Sequence, residues 1–138
     1  MDRTLMMIKP DAVRRNLVGE VLRRVENAGL KIVGLRMVHL SIEDAQEFYR
    51  VHAERPFYAS LCKYMSSGPI VAGVLEGEDS VRRWRELMGA TNPAEAAPGT
   101  IRKDLAVSLE ENSVHGSDAR ETADQEIRFF DLKLPLRG

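Results

Sequence analysis

One cysteine in 138 residues leaves no partner for an intrachain disulfide. Cys62 therefore reads as a small buried hydrophobe. A cysteine-based zinc site would need ligands that the three histidines do not offer at the usual spacing. No apolar run approaches the ~18–20 residues of a spanning helix, so a membrane protein is not expected. Neither sign of charge is in excess: the net charge of −1 gives no global pull toward nucleic acid or an anionic membrane. Any anion site must then be a local cluster. The start, Met1-Asp2-Arg3-Thr4, lacks the basic-then-apolar layout of a secretory signal, and a cytoplasmic location is expected. The chain also lacks GxxxxGK[ST], a GxGxxG after a strand, HExxH and GxSxG, which argues against the nucleotide, metalloprotease and hydrolase classes that carry them.

What is present is an ordinary globular mixture, 43% hydrophobic and 30% charged, of a length that suits a single domain over residues 1–138. Residues 3–9 are mostly apolar and stop at Pro10, a buried strand ended by a proline. Val18, Val21, Leu22, Val25 and Ala28, followed by Gly29, predict an amphipathic helix with a glycine stop. Residues 30–40 predict a strand covered on one face. Ser41 with Asp44 three residues on nearly makes a capping box. The helix it opens turns Ala45, Phe48 and Tyr49 inward and breaks at Pro56. Residues 57–65 predict another short helix, 70–75 a compact strand, and 78–88 a helix with Val81, Trp84 and Met88 on one side. Residues 89–100 hold two prolines and two glycines and read as a long excursion. After a short strand, Ser117 or Asp118 caps a last helix carrying Ala123, Ile127 and Phe130. The tail 131–138 has no clear pattern. The order gives an α+β fold, a small, mostly antiparallel sheet covered by helices.

The segment Asn112-Ser113-Val114-His115-Gly116-Ser117-Asp118 sets a histidine among small and polar residues. An imidazole there can be reached by a ligand, and its neutral form is a good nucleophile near pH 7. Gly116 and Ser117 read as room and support for the ring, and Asp118 as the start of the helix behind it. His39, inside an apolar strand, and His52, near a helix end, read as structural. Basic residues come from separate elements: Lys9, then Arg82, Arg83 and Arg85, then Arg102 and Lys103. A solvated helix face explains Arg82 and Arg83; Arg85 sits at the edge of the apolar stripe. Cations from separate elements suit a polyphosphate. Phe57 is either core or a stacking partner for a nucleobase. Thr91-Asn92-Pro93 forms a turn or presents a hydroxyl to a phosphate.

In these residues and their order the chain resembles the nucleoside diphosphate kinase family. The segment around His115 is similar to that family's signature around its phosphorylated histidine. Met7-Ile8-Lys9-Pro10-Asp11 resembles its first-strand motif, and Arg55-Pro56-Phe57-Tyr58 its base-stacking entry. Tyr64-Met65-Ser66-Ser67-Gly68-Pro69 resembles the approach to its third strand. Met88-Gly89-Ala90-Thr91-Asn92-Pro93 and Pro98-Gly99-Thr100-Ile101-Arg102 resemble its long loop and the arginine after it. The likeness runs in register from about Arg3 to Phe130. Tail 131–138 is atypical, as is Ala12 where many members have glycine. Lys103 replaces a smaller residue and either tunes phosphate affinity or faces solvent.

The resemblance implies a ferredoxin-like α/β sandwich with a four-stranded antiparallel sheet. It implies transfer of the γ-phosphoryl group from a nucleoside triphosphate to a nucleoside diphosphate, by a ping-pong route through a pros-phosphohistidine at His115. Glu126 would hold the imidazole. Arg85, Thr91 and Arg102 would grip the phosphates, Lys9 and Asn112 the ribose hydroxyls, with Lys9 also at the transferred group. Phe57 would stack on the base with Leu61 beside it, and Tyr49 and Ser117 would support the histidine. Mg²⁺ would arrive on the nucleotide phosphates, with no metal ligand assigned to the protein. A homo-oligomer, tetramer or hexamer, is implied. The alternative is a non-catalytic ferredoxin-like module binding nucleotides or nucleic acid. The aromatic-rich sheet of an RNA-recognition domain is missing, and no sequence-specific nucleic-acid partner is expected.

Overall fold

The structure, a computed structural model, describes residues 1–137; Gly138, the last residue of the tail 131–138, lies outside the described residues. Its strands are β1 (Asp2–Ile8), β2 (Lys31–Val38), β3 (Ile70–Gly77) and β4 (Val114–Gly116). They form one sheet in the order β2-β3-β1-β4, with every neighbouring pair antiparallel. The helices are α1 (Pro10–Arg14), α2 (Val18–Asn27), α3 (Ile42–Phe48), α4 (Tyr58–Met65), α5 (Ser80–Met88), α6 (Ile101–Leu105) and α7 (Arg120–Lys133). This is the ferredoxin-like α+β sandwich that the resemblance implies.

The central strand explains the layering. Side chains alternate across a strand, so Leu5 and Met7 meet Ala45, Cys62, Met65, Ile127 and Phe130 on one face of β1. Met6 and Ile8 meet Ala12, Val21, Val25, Trp84, Met88 and Ile101 on the other. Both faces are covered, and β1 reads as a continuous apolar run rather than an alternation. Strand β2, at the edge, is largely exposed and carries an irregularity between Ile32 and Gly34, in keeping with its imperfect pattern. The capping box at Ser41 and Asp44 forms as expected, a device worth about 1 kcal/mol.

Four expectations change. Pro10 ends the strand and also opens α1, because proline's missing N–H and fixed φ suit a first helical turn. The segment after the excursion is helical over Ile101–Leu105, capped by the Thr100 hydroxyl on the Lys103 amide. The last helix is capped by neither Ser117 nor Asp118: it starts at Arg120, with Ala119 at the N-cap and no side-chain cap. The Ser117 hydroxyl and the Asp118 carboxylate are engaged with Glu126 and Arg85 instead. The tail is not patternless in space. Residues 131–133 complete α7, Leu136 is buried, and the Leu35 amide donates to the Leu136 carbonyl at 2.9 Å. Two leucines beside an edge strand are too few to show a period. Among the described residues no helix is long and apolar enough to cross a membrane.

Candidate active site

Strand β4 has three residues, and its register sets the centre of the site. His115, on the edge strand β4, lies opposite Met7 of the interior strand β1. The indole N–H of the fully buried Trp84 donates to the His115 carbonyl at 3.1 Å. A Cβ on Gly116 would come within 2.6 Å of both Trp84 Cδ1 and Met88 Cε. Gly116 therefore makes room for α5 and not for the imidazole, which corrects that reading. Ser117 does give support: its Oγ donates to Glu126 Oε1 at 2.6 Å and accepts from the Leu5 amide at 3.4 Å.

Glu126 is eleven residues past His115, about 8 of them along the expected helix from Asp118, or ~12 Å at ~1.5 Å per residue. The separation is closed because α7 packs back along β1. His115 Nε2 lies 3.1 Å from Glu126 Oε1. The imidazole side chain is 18% exposed, and Phe48 and Tyr49 meet it edge-on at 5.6 and 6.2 Å. Burial alone would raise the Glu126 carboxyl; the His115 charge and hydrogen bond, the Ser117 hydroxyl and the His52 charge outweigh it and hold the group below the ordinary glutamate value. The carboxylate is then an acceptor at neutral pH, so Nε2 carries the proton and Nδ1 keeps its lone pair.

The expected cations converge. Lys9 is buried, and its Nζ donates to Asn112 Oδ1 at 2.8 Å. The Asn112 amide donates in turn to the Thr91 carbonyl at 3.1 Å. Arg102, also buried, donates to the carbonyls of Val114 at 2.8 Å and Gly89 at 3.1 Å, while its Nε has no partner. Burial and then the Arg102 charge push Lys9 down to about 8. Burial and then the Arg85 charge push Arg102 down to about 10, still charged at neutral pH. Neither Lys9 nor Arg102 has a salt-bridge carboxylate among the described residues. The charges of Asp11 and Glu110 offset part of the Lys9 penalty from a distance, but two buried cations without a direct ion pair are costly unless an anion arrives. Arg85 is half exposed and pairs with Asp118 at 2.9 Å. Arg82 pairs with Asp79 and Glu86, and Arg83 donates to the Ala28 and Glu78 carbonyls, so both serve the surface of α5. Lys103 is exposed and faces solvent.

Phe57 is 46% exposed, and its ring lies 5.5 Å from His52, not against His115. His52 stacks at 6.5 Å on Tyr49, which reaches the imidazole. Leu61 packs, half-buried, against the core on the α3–α4 side. The Tyr49 hydroxyl is buried with no partner, and burial, then the Glu126 charge, raises its pKa. His39 is exposed just past β2 rather than buried in it, with Nε2 2.9 Å from the Ser66 carbonyl. Sequence reasoning missed His52 as part of the site wall. The signal was there in its place three residues after Tyr49, on the turn that follows α3. It also missed Asp118 as the partner of Arg85 and Phe48 as a wall of the imidazole; nothing in their local sequence marks either role.

Among the described residues no group of three or more His, Cys, Asp or Glu is arranged to hold a metal ion. The site's donors are ammonium, guanidinium, amide and hydroxyl groups, which fit phosphate oxygens. They fit a divalent cation only where that cation is carried on the phosphates.

The family model described as nucleoside diphosphate kinase matches residues 2–133. A nucleoside diphosphate kinase of Nitratidesulfovibrio vulgaris (strain DP4) is 60% identical over 138 residues, 100% of this chain and 99% of that relative. Among solved structures, the Aquifex aeolicus nucleoside diphosphate kinase superposes with a TM-score of 0.92 at 45% identity, covering 94% of each chain. A halophilic nucleoside diphosphate kinase from Halobacterium salinarum in complex with CDP gives a TM-score of 0.90 at 44% identity, over 94% of this chain and 86% of that one.

Proposed function

Since the chain belongs to the nucleoside diphosphate kinase family, we propose that it moves the γ-phosphoryl group from a nucleoside triphosphate to a nucleoside diphosphate in two half-reactions, through a phosphohistidine at His115 Nδ1. The activity is the family's; the residue roles rest on the geometry of the site. The observation that carries them is the pairing of His115 Nε2 with Glu126, which leaves Nδ1 as the nucleophile on a strand whose Val114 carbonyl is bound by the buried Arg102.

The chemistry follows from that arrangement. A neutral imidazole nitrogen has no proton to surrender, so its attack on phosphorus needs aim and charge stabilisation rather than a base. In the first half-reaction the Nδ1–P bond forms as the bond to the bridging oxygen of the nucleoside diphosphate breaks, and the electron pair leaves with that diphosphate. In the second, a terminal oxygen of another diphosphate bonds to phosphorus as the Nδ1–P bond breaks, and the electron pair returns to the imidazole. Glu126 holds the ring and balances the positive charge it gains. Arg85, Thr91 and Arg102 grip phosphates, and an incoming phosphate supplies the acceptor that Arg102 Nε lacks. The orphaned Tyr49 hydroxyl is the donor best suited to the transferred group. Lys9 and Asn112 hold the ribose hydroxyls, and Lys9 also neutralises the moving phosphoryl group. Phe57 stacks on the base with Leu61 beside it, a weak reading of base identity because every base has a π-face. Mg²⁺ carried in with the nucleotide would offset part of the phosphate charge, with no ligand from the described residues assigned to it. Incubation with ATP and Mg²⁺ should leave an acid-labile, base-stable phosphate on the protein; a protein that stays unlabelled would sink the proposal.

The state of Lys9 predicts a pH dependence. Its folded pKa, about 8, lies below the ordinary lysine value. The group is charged below pH 8 and loses its proton as pH rises through 8, so kcat/KM should fall on that limb. An unfolded lysine keeps its proton longer, so this same group adds stability as pH rises from about 8 toward the lysine value near 10.4. Activity should therefore fall while the Lys9 contribution to stability grows. An alkaline limb that tracks the melting curve would refute the assignment.

The reading extends to a homo-oligomer, tetramer or hexamer, supported by the exposed Leu35 and Met37 on the edge strand β2. Sedimentation equilibrium should return an integral multiple of the 15.5 kDa chain, and a monomer at micromolar concentration would overturn it. A cytoplasmic location is part of the same reading, supported by the free, buried Cys62 thiol, which suits reducing surroundings.

A further inference from the structure

Asp11 takes no part in the steps above, yet its carboxylate is among the most thoroughly buried charges in the chain, with the side chain 2% exposed. It lies in α1, two residues past Lys9. Oδ1 accepts from the Ser113 amide at 3.3 Å, and Oδ2 from the Ser113 hydroxyl at 2.9 Å and the Arg15 guanidinium at 3.0 Å. The Tyr64 hydroxyl also donates to it. The carbonyl of Ser113 accepts from the Lys9 amide at 2.8 Å. Both ends of Ser113 are thus tied to the segment 9–11.

Ser113 is fully buried and has φ +73°, in the left-handed region where a side-chain-bearing residue is strained and glycine is not. Its neighbours on either side carry function in the proposed mechanism: Asn112 bonds the Lys9 ammonium, and Val114 leads into His115 and takes the Arg102 bond. A relaxed Ser113 would rotate the Asn112 side away from Lys9 and change the entry angle of β4. We propose that Asp11 is a positioning residue: its carboxylate clamps Ser113 in the left-handed conformation, and that turn fixes Asn112 on Lys9 and His115 in line for phosphoryl transfer. Serine at this position supplies a hydroxyl to the clamp, which glycine cannot do, and in exchange needs the clamp to hold a strained backbone.

The inference rests on the reading of His115 as phosphoryl carrier. Single-turnover phosphorylation by ATP and Mg²⁺ separates the two. An unlabelled wild-type protein overturns the carrier; the clamp is read from how the variants compare. Asp11→Asn should slow phosphorylation roughly tenfold, and in a Ser113→Gly background, where the turn needs no clamp, its further effect should shrink to about threefold or less. Tyr64→Phe, which loosens Asp11 without touching Ser113, should lower the melting temperature by about 5 °C and leave the rate within about twofold. Ser113→Ala keeps the strain and loses the hydroxyl, so it should be about fivefold slower than Ser113→Gly even if the Asp11 variants fail to fold. Equal penalties for Asp11→Asn in both backgrounds, or equal rates for Ser113→Ala and Ser113→Gly, would overturn the clamp and leave Asp11 as a fold residue only.

Discussion

Replacing His115 with alanine should remove the phosphoenzyme label and cut transfer from ATP to GDP by roughly 10⁴–10⁶-fold, the scale of losing a covalent nucleophile. That is about 5–8 kcal/mol of transition-state stabilisation. The magnitude follows from the route. Without Nδ1 the two nucleotides must react directly, but in the proposed mechanism Lys9, Arg85 and Arg102 form one set of cations, enough for one nucleotide at a time. Binding should survive, because Lys9, Arg85, Arg102 and Asn112 are untouched; nucleotide affinity should change by less than about threefold. Stability should fall modestly, since Glu126 loses its His115 partner while keeping the Ser117 hydroxyl. Rapid-quench labelling, a nucleotide titration and a melting curve read these three quantities separately. A variant that still transfers within about tenfold of wild type would show that the group does not pass through His115.

How much of this was legible in the sequence depended on whether the relevant chemistry was local. His115 stood out because its neighbours are small and polar, and Ser41–Asp44 because a capping box is a four-residue device. The helices over 18–27 and 80–88 show their period, and β1 its apolar run, so the layers followed. The convergence of Lys9, Arg102 and Asn112 had no local signal. It depends on the pairing of β1 with β4, a strand of three residues that is too short to show any period. Glu126 was legible only through the family resemblance, because it is α7 packing on β1 that returns it to the imidazole. Asp11 and Ser113 are 102 residues apart and meet only in the folded chain. The misreadings share a physical cause. Ser117, Asp118 and Gly116 have strong local preferences, for caps and open turns, and tertiary contacts overrode each of them. The hydroxyl was taken by Glu126, the carboxylate by Arg85, and the glycine's space by Trp84.

Glu126→Gln keeps the shape of the site and tests whether charge behind the imidazole matters. Two effects act in the same direction. The neutral amide cannot balance the positive charge the ring gains as Nδ1 bonds to phosphorus, a loss typical of removing one preorganised electrostatic partner. The amide can also donate to Nε2, which would move the imidazole proton to Nδ1 and block the nucleophile, as in other histidines that lose an orienting carboxylate. Together they should lower kcat roughly 10²–10³-fold with little change in KM. Both half-reactions should slow alike, because the same ring accepts and releases the group. Stability should fall modestly as well. The favourable contacts outweigh the cost of burial and hold the carboxyl below the ordinary glutamate value, so the ionised group favours the folded chain at neutral pH; a neutral amide can keep the Ser117 bond but gives up that contribution. A large loss of kcat beside a small drop in melting temperature is the signature of a group held for catalysis. If instead kcat stays within about threefold while the melting temperature falls, Glu126 is a structural partner of α7, and the aim of His115 must come from Phe48, Tyr49 and the Trp84 bond to its carbonyl.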